Sequence, residues 1–116
     1  MPAGTLPHAR EAFIPPSKLY DYVLSPDHPL GRHKARVFFS ALGLSADNWE
    51  YLREQIKQGV ITAPVSNVQV SSYGVLYEVP ILIQGLNGAS HEVITAWIVE
   101  GKIPAPRLTN AYVNVP

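Results

Sequence analysis

HEVITAWIV, residues 91–99, decides the fold. Its middle is apolar on both faces, which is typical of a strand at the centre of a sheet. Three further strands, rich in β-branched and aromatic residues, are expected at 64–71, 75–84 and 106–114. Asn87-Gly88 predicts a hairpin ahead of the central strand, and Pro80 indicates a bulge or an edge. Because the connections are short, the strands should form an antiparallel meander.

Before Gly59, apolar residues recur at helical spacing and predict helices instead. The expected helices cover residues 17–24, 32–42 and 46–58. Gly43 is expected to end the second helix, and Gly59 the third. The sequence therefore predicts an α+β fold, in which about three N-terminal helices pack on a four-stranded antiparallel meander sheet.

The composition is that of one globular domain of 116 residues with 47% hydrophobic residues. We expect residues 1–13, which contain Pro2, Gly4 and Pro7, to form a flexible arm, and residues 14–116 to form the domain. No apolar run reaches the length of a membrane span, so no membrane association is expected. The N-terminus lacks the pattern of a signal peptide. The absence of cysteine fits a cytoplasmic site of action. If the domain leaves the cell, we expect another protein to carry it.

Nine Lys/Arg balance nine Asp/Glu, which argues against a protein that coats polyanions through its net charge. The cations are nevertheless concentrated in HPLGRHKAR, residues 28–36. A helix N-terminus already carries partial positive charge, so cations there are unfavourable unless an anion binds. We therefore predict a phosphate-binding corner, with His28 as an acid–base group. The binding residues expected around it are Gly31, Arg32, His33, Lys34 and Arg36.

Three other interpretations of this stretch remain open at this point. In the first, Arg32 and Arg36 form surface ion pairs with Asp27 or Asp21 and have no further role. In the second, His28 bonds a backbone carbonyl as a loop residue and takes no part in catalysis. In the third, Asp27, His28 and His33 bind a metal. Their spacing matches no known ligand pattern, and we therefore expect neither a metal site nor a cofactor.

The last predicted strand supplies a second set of candidates. Strand alternation places Arg107, Thr109 and Ala111 on one face and Asn110 and Tyr112, with Leu108, on the other. We expect Arg107 and Thr109 to hold a phosphate from the side opposite His28. Trp97 is a candidate for stacking on a base, with core packing as the alternative.

The chain resembles a family of small uncharacterised bacterial domains over residues 14–113. The resemblance lies in IPPSKLYDYVLSPDHPLGRHKARVFF, ALGLS..NWEYL and AWIVEG..PRLTNAY. It implies roles for His28, Lys34, Arg107, Thr109 and Tyr112. Where the family usually ends in TAYP, this chain has TNAYV, and Asn110 shifts Tyr112 relative to Thr109.

These domains resemble toxin modules, and their order of elements is similar to that of the barnase, EndoU, colicin and RelE superfamily of metal-independent ribonucleases. That resemblance implies an RNA-cleaving toxin domain, with RNA as substrate and a cognate antitoxin or immunity protein as partner. His28 would move the proton, Lys34 and Arg107 would stabilise charge on the phosphate, and Thr109 or Tyr112 would hold it. The alternatives are a non-catalytic partner-binding module and a small enzyme acting on a phosphorylated metabolite.

Overall fold

The computed structural model describes residues 4–114, in which helices precede strands. The helices are α1 (Pro16–Lys18), which continues into a π-helical turn (Leu19–Val23), α2 (Arg32–Leu42) and α3 (Trp49–Val60), with short 3-10 turns at Ala9–Glu11 and Ala46–Asn48. The strands are β1 (Asn67–Ser71), β2 (Gly74–Gln84), β3 (Ser90–Val99) and β4 (Arg107–Val113). The predicted α+β fold is confirmed.

The four strands form one antiparallel sheet in the order β1-β2-β3-β4, as the meander predicts. The hairpin between β2 and β3 closes where Gly85 N–H donates to the carbonyl of Ala89, at 2.7 Å, around the predicted Asn87-Gly88 turn. β3 lies inside the sheet, between β2 and β4. HEVITAWIV is therefore a central strand.

The helices pack on one face of this sheet, α3 against β2 and α2 against β3 and β4. Val79, Trp97 and Leu108 belong to the core on this side, and all three are fully buried. Because side chains alternate along a strand, Glu78 and Ala96 point to the opposite face, called the open face below. In residues 4–114 no helix is long and apolar enough to cross a membrane.

Pro80 keeps a continuous register with β3 opposite Ile94, so β2 has no bulge there. Pairing of β2 with β1 ends at Glu78, and β2 is consequently an edge at Pro80. Of the two alternatives predicted for Pro80, the edge is therefore correct and the bulge is not. The bulge lies in β4 instead, where Leu108 pairs with Trp97 and Asn110 with Ala96, which leaves Thr109 as the extra residue.

The expectation that Gly59 ends α3 is wrong, because the helix runs on to Val60. A Cβ on Gly59 would overlap Cγ2 of Ile81 in β2. Glycine at this position therefore serves close packing of helix on sheet. Gly43 does end α2, with φ of 67°.

The described part of the N-terminal segment, residues 4–13, packs against the domain. Leu6 and Ala12 are 2% and 7% exposed, because each finds apolar neighbours in the core. Phe13 pairs with the start of β4, where its N–H donates to Pro106 and its carbonyl accepts from Leu108. Residues 1–3 of the expected arm, and residues 115–116 of the expected domain, lie outside the described residues.

Candidate functional site

The basic stretch divides between two sides of α2. Arg32 and Arg36 are one turn apart and line the same cavity, with Phe39 one turn further along. Lys34 lies about 200° around the helix from Arg32 and points to the other side. His33 is exposed to solvent. The single corner expected from Gly31, Arg32, His33, Lys34 and Arg36 is therefore not formed, because successive helical residues turn away from one another.

Lys34 and His28 do come together, through Tyr22. The ammonium of Lys34 donates to the hydroxyl of Tyr22 at 3.3 Å, and the rings of Tyr22 and His28 meet edge to face with centroids 4.8 Å apart. Lys18 places its ammonium 5.3 Å from the centroid of the same ring. We call Lys18, Tyr22, His28 and Lys34 the Tyr22 cluster. All four side chains are half-buried.

The hydroxyl oxygen of Tyr22 accepts the hydrogen bond that joins it to Lys34. Lys34 has only donors, so the phenolic oxygen must accept in this pair. The hydroxyl proton of Tyr22 is then free for an acceptor outside the pair. The ammonium lies closer to the hydroxyl, at 3.3 Å, than to the ring centroid, at 5.3 Å, so it sits at the polar end of the ring.

His28 orders the start of α2. Its Nδ1 accepts the backbone N–H of Leu30 and of Gly31, each at 3.0 Å, and its carbonyl accepts the N–H of Arg32. These contacts give partners to the amides of the turn that leads into α2 and to the first N–H of the helix itself. Since Nδ1 is the acceptor, the neutral ring carries its proton on Nε2. The imidazole thus offers a donor, and Nδ1 is occupied by the backbone.

No ion pair to a carboxylate is formed by the Tyr22 cluster in the described part of the chain, although Asp21 lines one cavity together with Lys18, Tyr22 and His28. The ion pairs formed within residues 4–114 are His8–Glu11 and Arg107–Glu100, so Lys18 and Lys34 have no carboxylate partner there. Arg32 and Arg36 are likewise unpaired in this part of the chain, and the surface pairs with Asp21 or Asp27 are not formed. No group of three potential metal ligands occurs among the described residues.

Gly31 is needed by the packing beneath the cluster. It is buried, and a Cβ there would overlap the carbonyl oxygen of Tyr22 and lie 2.8 Å from its carbonyl carbon. The N-terminus of α2 therefore rests directly on the backbone of the π-helical turn. This contact fixes His28 and Lys34, which flank Gly31 in sequence, relative to Tyr22.

The β4 candidates lie on the open face. Leu108 and Ala111 are both buried in the core, because the bulge at Thr109 shifts the alternation by one residue. The predicted sharing of a face by Thr109 and Ala111 is consequently wrong. Arg107, Asn110 and Tyr112 point away from the helices with Thr109. Thr109 donates its hydroxyl to the carbonyl of Ala96 at 3.2 Å, and Arg107 pairs with Glu100 at 2.6 Å.

Asn110 and Thr109 line a groove across the open face, with a volume of about 260 Å³. Its polar lining also includes Asn67, Gln69 and Glu78. α1 and the π-helical turn both contact β4, the strand to which Thr109 and Asn110 belong. Within residues 4–114, no hydrogen bond or ion pair joins Arg107 to His28 or Lys34.

Trp97 is a core residue. Its side chain is fully buried, and Nε1 donates to Oγ1 of Thr95 at 2.8 Å. Thr95 in turn donates to the carbonyl of Val79 at 2.7 Å. The expected stacking of Trp97 on a base is not possible in this arrangement, because the indole has no exposed surface. Tyr112, which is 36% exposed, presents a ring on the open face.

Sequence reasoning missed Tyr22 and Lys18 as site residues. Tyr22 packs against the core while its hydroxyl remains accessible to Lys34. The available signal was the spacing of Lys18 and Tyr22, four residues apart on a predicted helix, which places them on one side. The π-helical turn that carries Tyr22 has no signature in the sequence.

Comparison with known proteins gives one family and a structural relative. The model of a family described as "Domain of unknown function (DUF6883)" matches residues 5–115. No curated protein matches the chain. One solved structure with a similar fold is a chain of a contact-dependent growth inhibition toxin–immunity protein complex from Klebsiella pneumoniae 342. The TM-score is 0.69 at 14% identity, over 89% of this chain and 100% of that chain. At this identity the likeness establishes the fold.

Proposed function

The chain belongs to the family described as a domain of unknown function (DUF6883), and we propose that it is a toxin-related domain that cleaves RNA. The fold that it shares with a chain of a toxin–immunity protein complex supports the first part of this proposal. By the same reasoning, its partner is a cognate immunity or antitoxin protein. The domain acts in the cytoplasm, where RNA is present, after delivery within a larger protein.

One observation carries the second part, which is the convergence of Lys34 and His28 on Tyr22. The cluster presents an ammonium without a carboxylate partner, a phenolic hydroxyl with its proton free, and the Nε2–H of an imidazole. All three are donors, and two or more donors at one position suit the oxygens of a phosphate. Lys18 adds a second positive charge beside the same ring.

The proposed reaction is attack of a ribose 2′-hydroxyl on the adjacent phosphorus, which forms a 2′,3′-cyclic phosphate and breaks the bond to the 5′-oxygen. Lys34 and the Nε2–H of His28 stabilise charge on the non-bridging oxygens. Tyr22 donates its proton to the departing 5′-oxygen, and the ammonium of Lys34 stabilises the phenolate that remains. The 2′-hydroxyl proton passes to water, and the phenolate of Tyr22 takes a proton back from water before the next turnover.

This assignment changes the role first expected of His28. An imidazole that carries its proton on Nε2 cannot also accept one there, and Nδ1 is engaged with the amides of Leu30 and Gly31. His28 therefore binds the phosphate in the proposed reaction, and Tyr22 moves the proton. Where the RNA chain crosses to the open face, it contacts Arg107, Thr109 and Tyr112. A phosphate of the RNA competes there with Glu100 for Arg107.

The test is cleavage of total RNA by the purified chain in the presence of EDTA, with detection of 2′,3′-cyclic phosphate ends. Tyr22→Phe and Lys34→Gln should each lower the rate by roughly 10²–10³. Lys57→Gln is the matched control, because it removes the same charge from an exposed position on α3 and should cleave normally. The proposal fails if the unaltered chain yields no cyclic phosphate, or if Tyr22→Phe cleaves at the normal rate.

Two substitutions at His28 separate its roles. His28→Ala removes the acceptor for two amides and should lower stability by about 1 kcal/mol as well as activity. His28→Asn restores an acceptor to the start of α2 while it removes the Nε2–H from its position. We expect His28→Asn to be as stable as the unaltered chain and still inactive. Full activity in this variant would assign His28 to structure alone.

A further inference from the structure

The second side of α2 carries a groove that the proposed chemistry does not use. The α2 groove is a cavity of about 370 Å³ between α2 and the turn that leads to α3. Its lining comes from one side of α2, from the segment that precedes α2 and from the turn that follows it. The half-turn between Arg32 and Lys34 places it on the opposite side of the helix from the Tyr22 cluster.

The floor of the α2 groove is apolar. Leu24, Ala35 and Leu44 are at most 5% exposed and form a closed surface, and Pro26 adds a rigid wall. Phe39, in contrast, is 65% exposed although it borders this floor. A large exposed ring next to an apolar depression is typical of a surface that is covered in a complex.

The charges around the floor differ between the two rims. Arg32 and Arg36, both exposed, stand one turn apart on the α2 rim, and neither has a carboxylate partner within residues 4–114. Ser45 and Asp47 stand on the opposite rim. An occupant that fits the groove therefore offers carboxylates to the arginines, hydrogen-bond donors to the rim with Asp47, and an apolar group to the floor between them.

We propose that the α2 groove docks a partner protein through an apolar side chain flanked by carboxylates. An apolar side chain on this floor and guanidinium–carboxylate pairs at Arg32 and Arg36 satisfy the two halves of the site. The backbone N–H groups of the same segment can donate to Asp47. A nucleic acid fits less well, because its sugar–phosphate backbone has no aliphatic side chain to fill the apolar floor. We identify this partner with the cognate protein of the proposed function, and this identification rests on the proposed function.

The test uses a defined peptide, so that it does not depend on RNA cleavage. The probe is a blocked pentapeptide with one leucine between two pairs of glutamates, titrated into ¹⁵N-labelled protein and followed by NMR. We expect saturable shifts at the Nε–H groups of Arg32 and Arg36 and at the amide of Ala46, with a Kd on the order of 1 mM. The counterpart peptide with glutamines should bind at least about tenfold more weakly.

Charge exchange supplies the control for specificity. Arg36→Glu should no longer bind the glutamate peptide, and it should bind the counterpart that has lysines in place of the glutamates. Lys57→Gln should bind the glutamate peptide as the unaltered chain does. The inference is overturned if shifts are absent at concentrations about tenfold above the expected Kd. It is also overturned if the lysine peptide fails to bind Arg36→Glu, or if a uridine hexanucleotide binds these residues more tightly than the glutamate peptide. Because no cleavage is measured, failure here leaves the nuclease proposal standing, and failure of cleavage leaves this one standing.

Discussion

Replacement of Gly31 by alanine tests the contact on which the Tyr22 cluster depends. The added methyl would lie 2.8 Å from the carbonyl carbon and 3.1 Å from Cδ1 of Tyr22, and it would overlap the carbonyl oxygen. Since backbone atoms cannot give way as a flexible side chain can, α2 has to move away from the π-helical turn. Overpacking of this kind costs about 1–3 kcal/mol. Alanine returns little helix propensity here, because Gly31 precedes the first residue of α2.

For a domain of this size each kcal/mol lowers the melting temperature by about 4 °C, so Gly31→Ala should melt about 4–12 °C below the unaltered chain. Urea unfolding followed by tryptophan fluorescence measures the same loss. Gly4→Ala is the control, because its Cβ meets nothing within 4 Å, and its stability should change by less than about 0.5 kcal/mol. Equal stability of the two variants would refute the reasoning, since the carbonyl of Tyr22 would then not be what requires glycine.

Three further predictions concern the fold around the site. Gly59→Ala should destabilise by about 1–3 kcal/mol through overlap with Ile81, and the double variant with Ile81→Ala should lose less than the sum of the two single changes in urea unfolding. Thr95→Val leaves Nε1 of Trp97 without its acceptor in the core, and we expect a loss of about 1–3 kcal/mol by calorimetry. Glu100→Gln breaks an exposed ion pair and should change the free energy of unfolding by less than about 1 kcal/mol, so a larger loss would contradict the surface placement of this pair.

The elements that the sequence predicts correctly are those fixed by local patterns. The 3.6-residue and two-residue periods locate the helices and strands to within a few residues, and Asn87-Gly88 locates the hairpin. Gly59 was misassigned because its role depends on Ile81, which is distant in sequence and adjacent in the fold. The bulge at Thr109 has the same origin, since only the register against β3 makes that residue the extra one.

The candidate site was predictable in part. The sequence predicts His28 and Lys34 as two members of a larger phosphate site, and the structure brings both to Tyr22. The separation of Arg32 and Arg36 from Lys34 follows from helical geometry, but the sequence does not say which side of α2 faces a cleft. The contact of the His28 Nδ1 with the amides of Leu30 and Gly31 depends on the path of the loop before α2, which the sequence pattern does not specify.

Pro80 also bears on how the molecule behaves at high concentration. β2 runs past the end of β1, and the stretch beyond Glu78 presents a row of backbone groups that another chain's strand could extend into a fibril. Proline places a residue without an N–H in that row, next to Leu82, which is 74% exposed. The residue that looks misplaced inside a strand thus removes one of the donors that a further strand would need in order to pair along this edge.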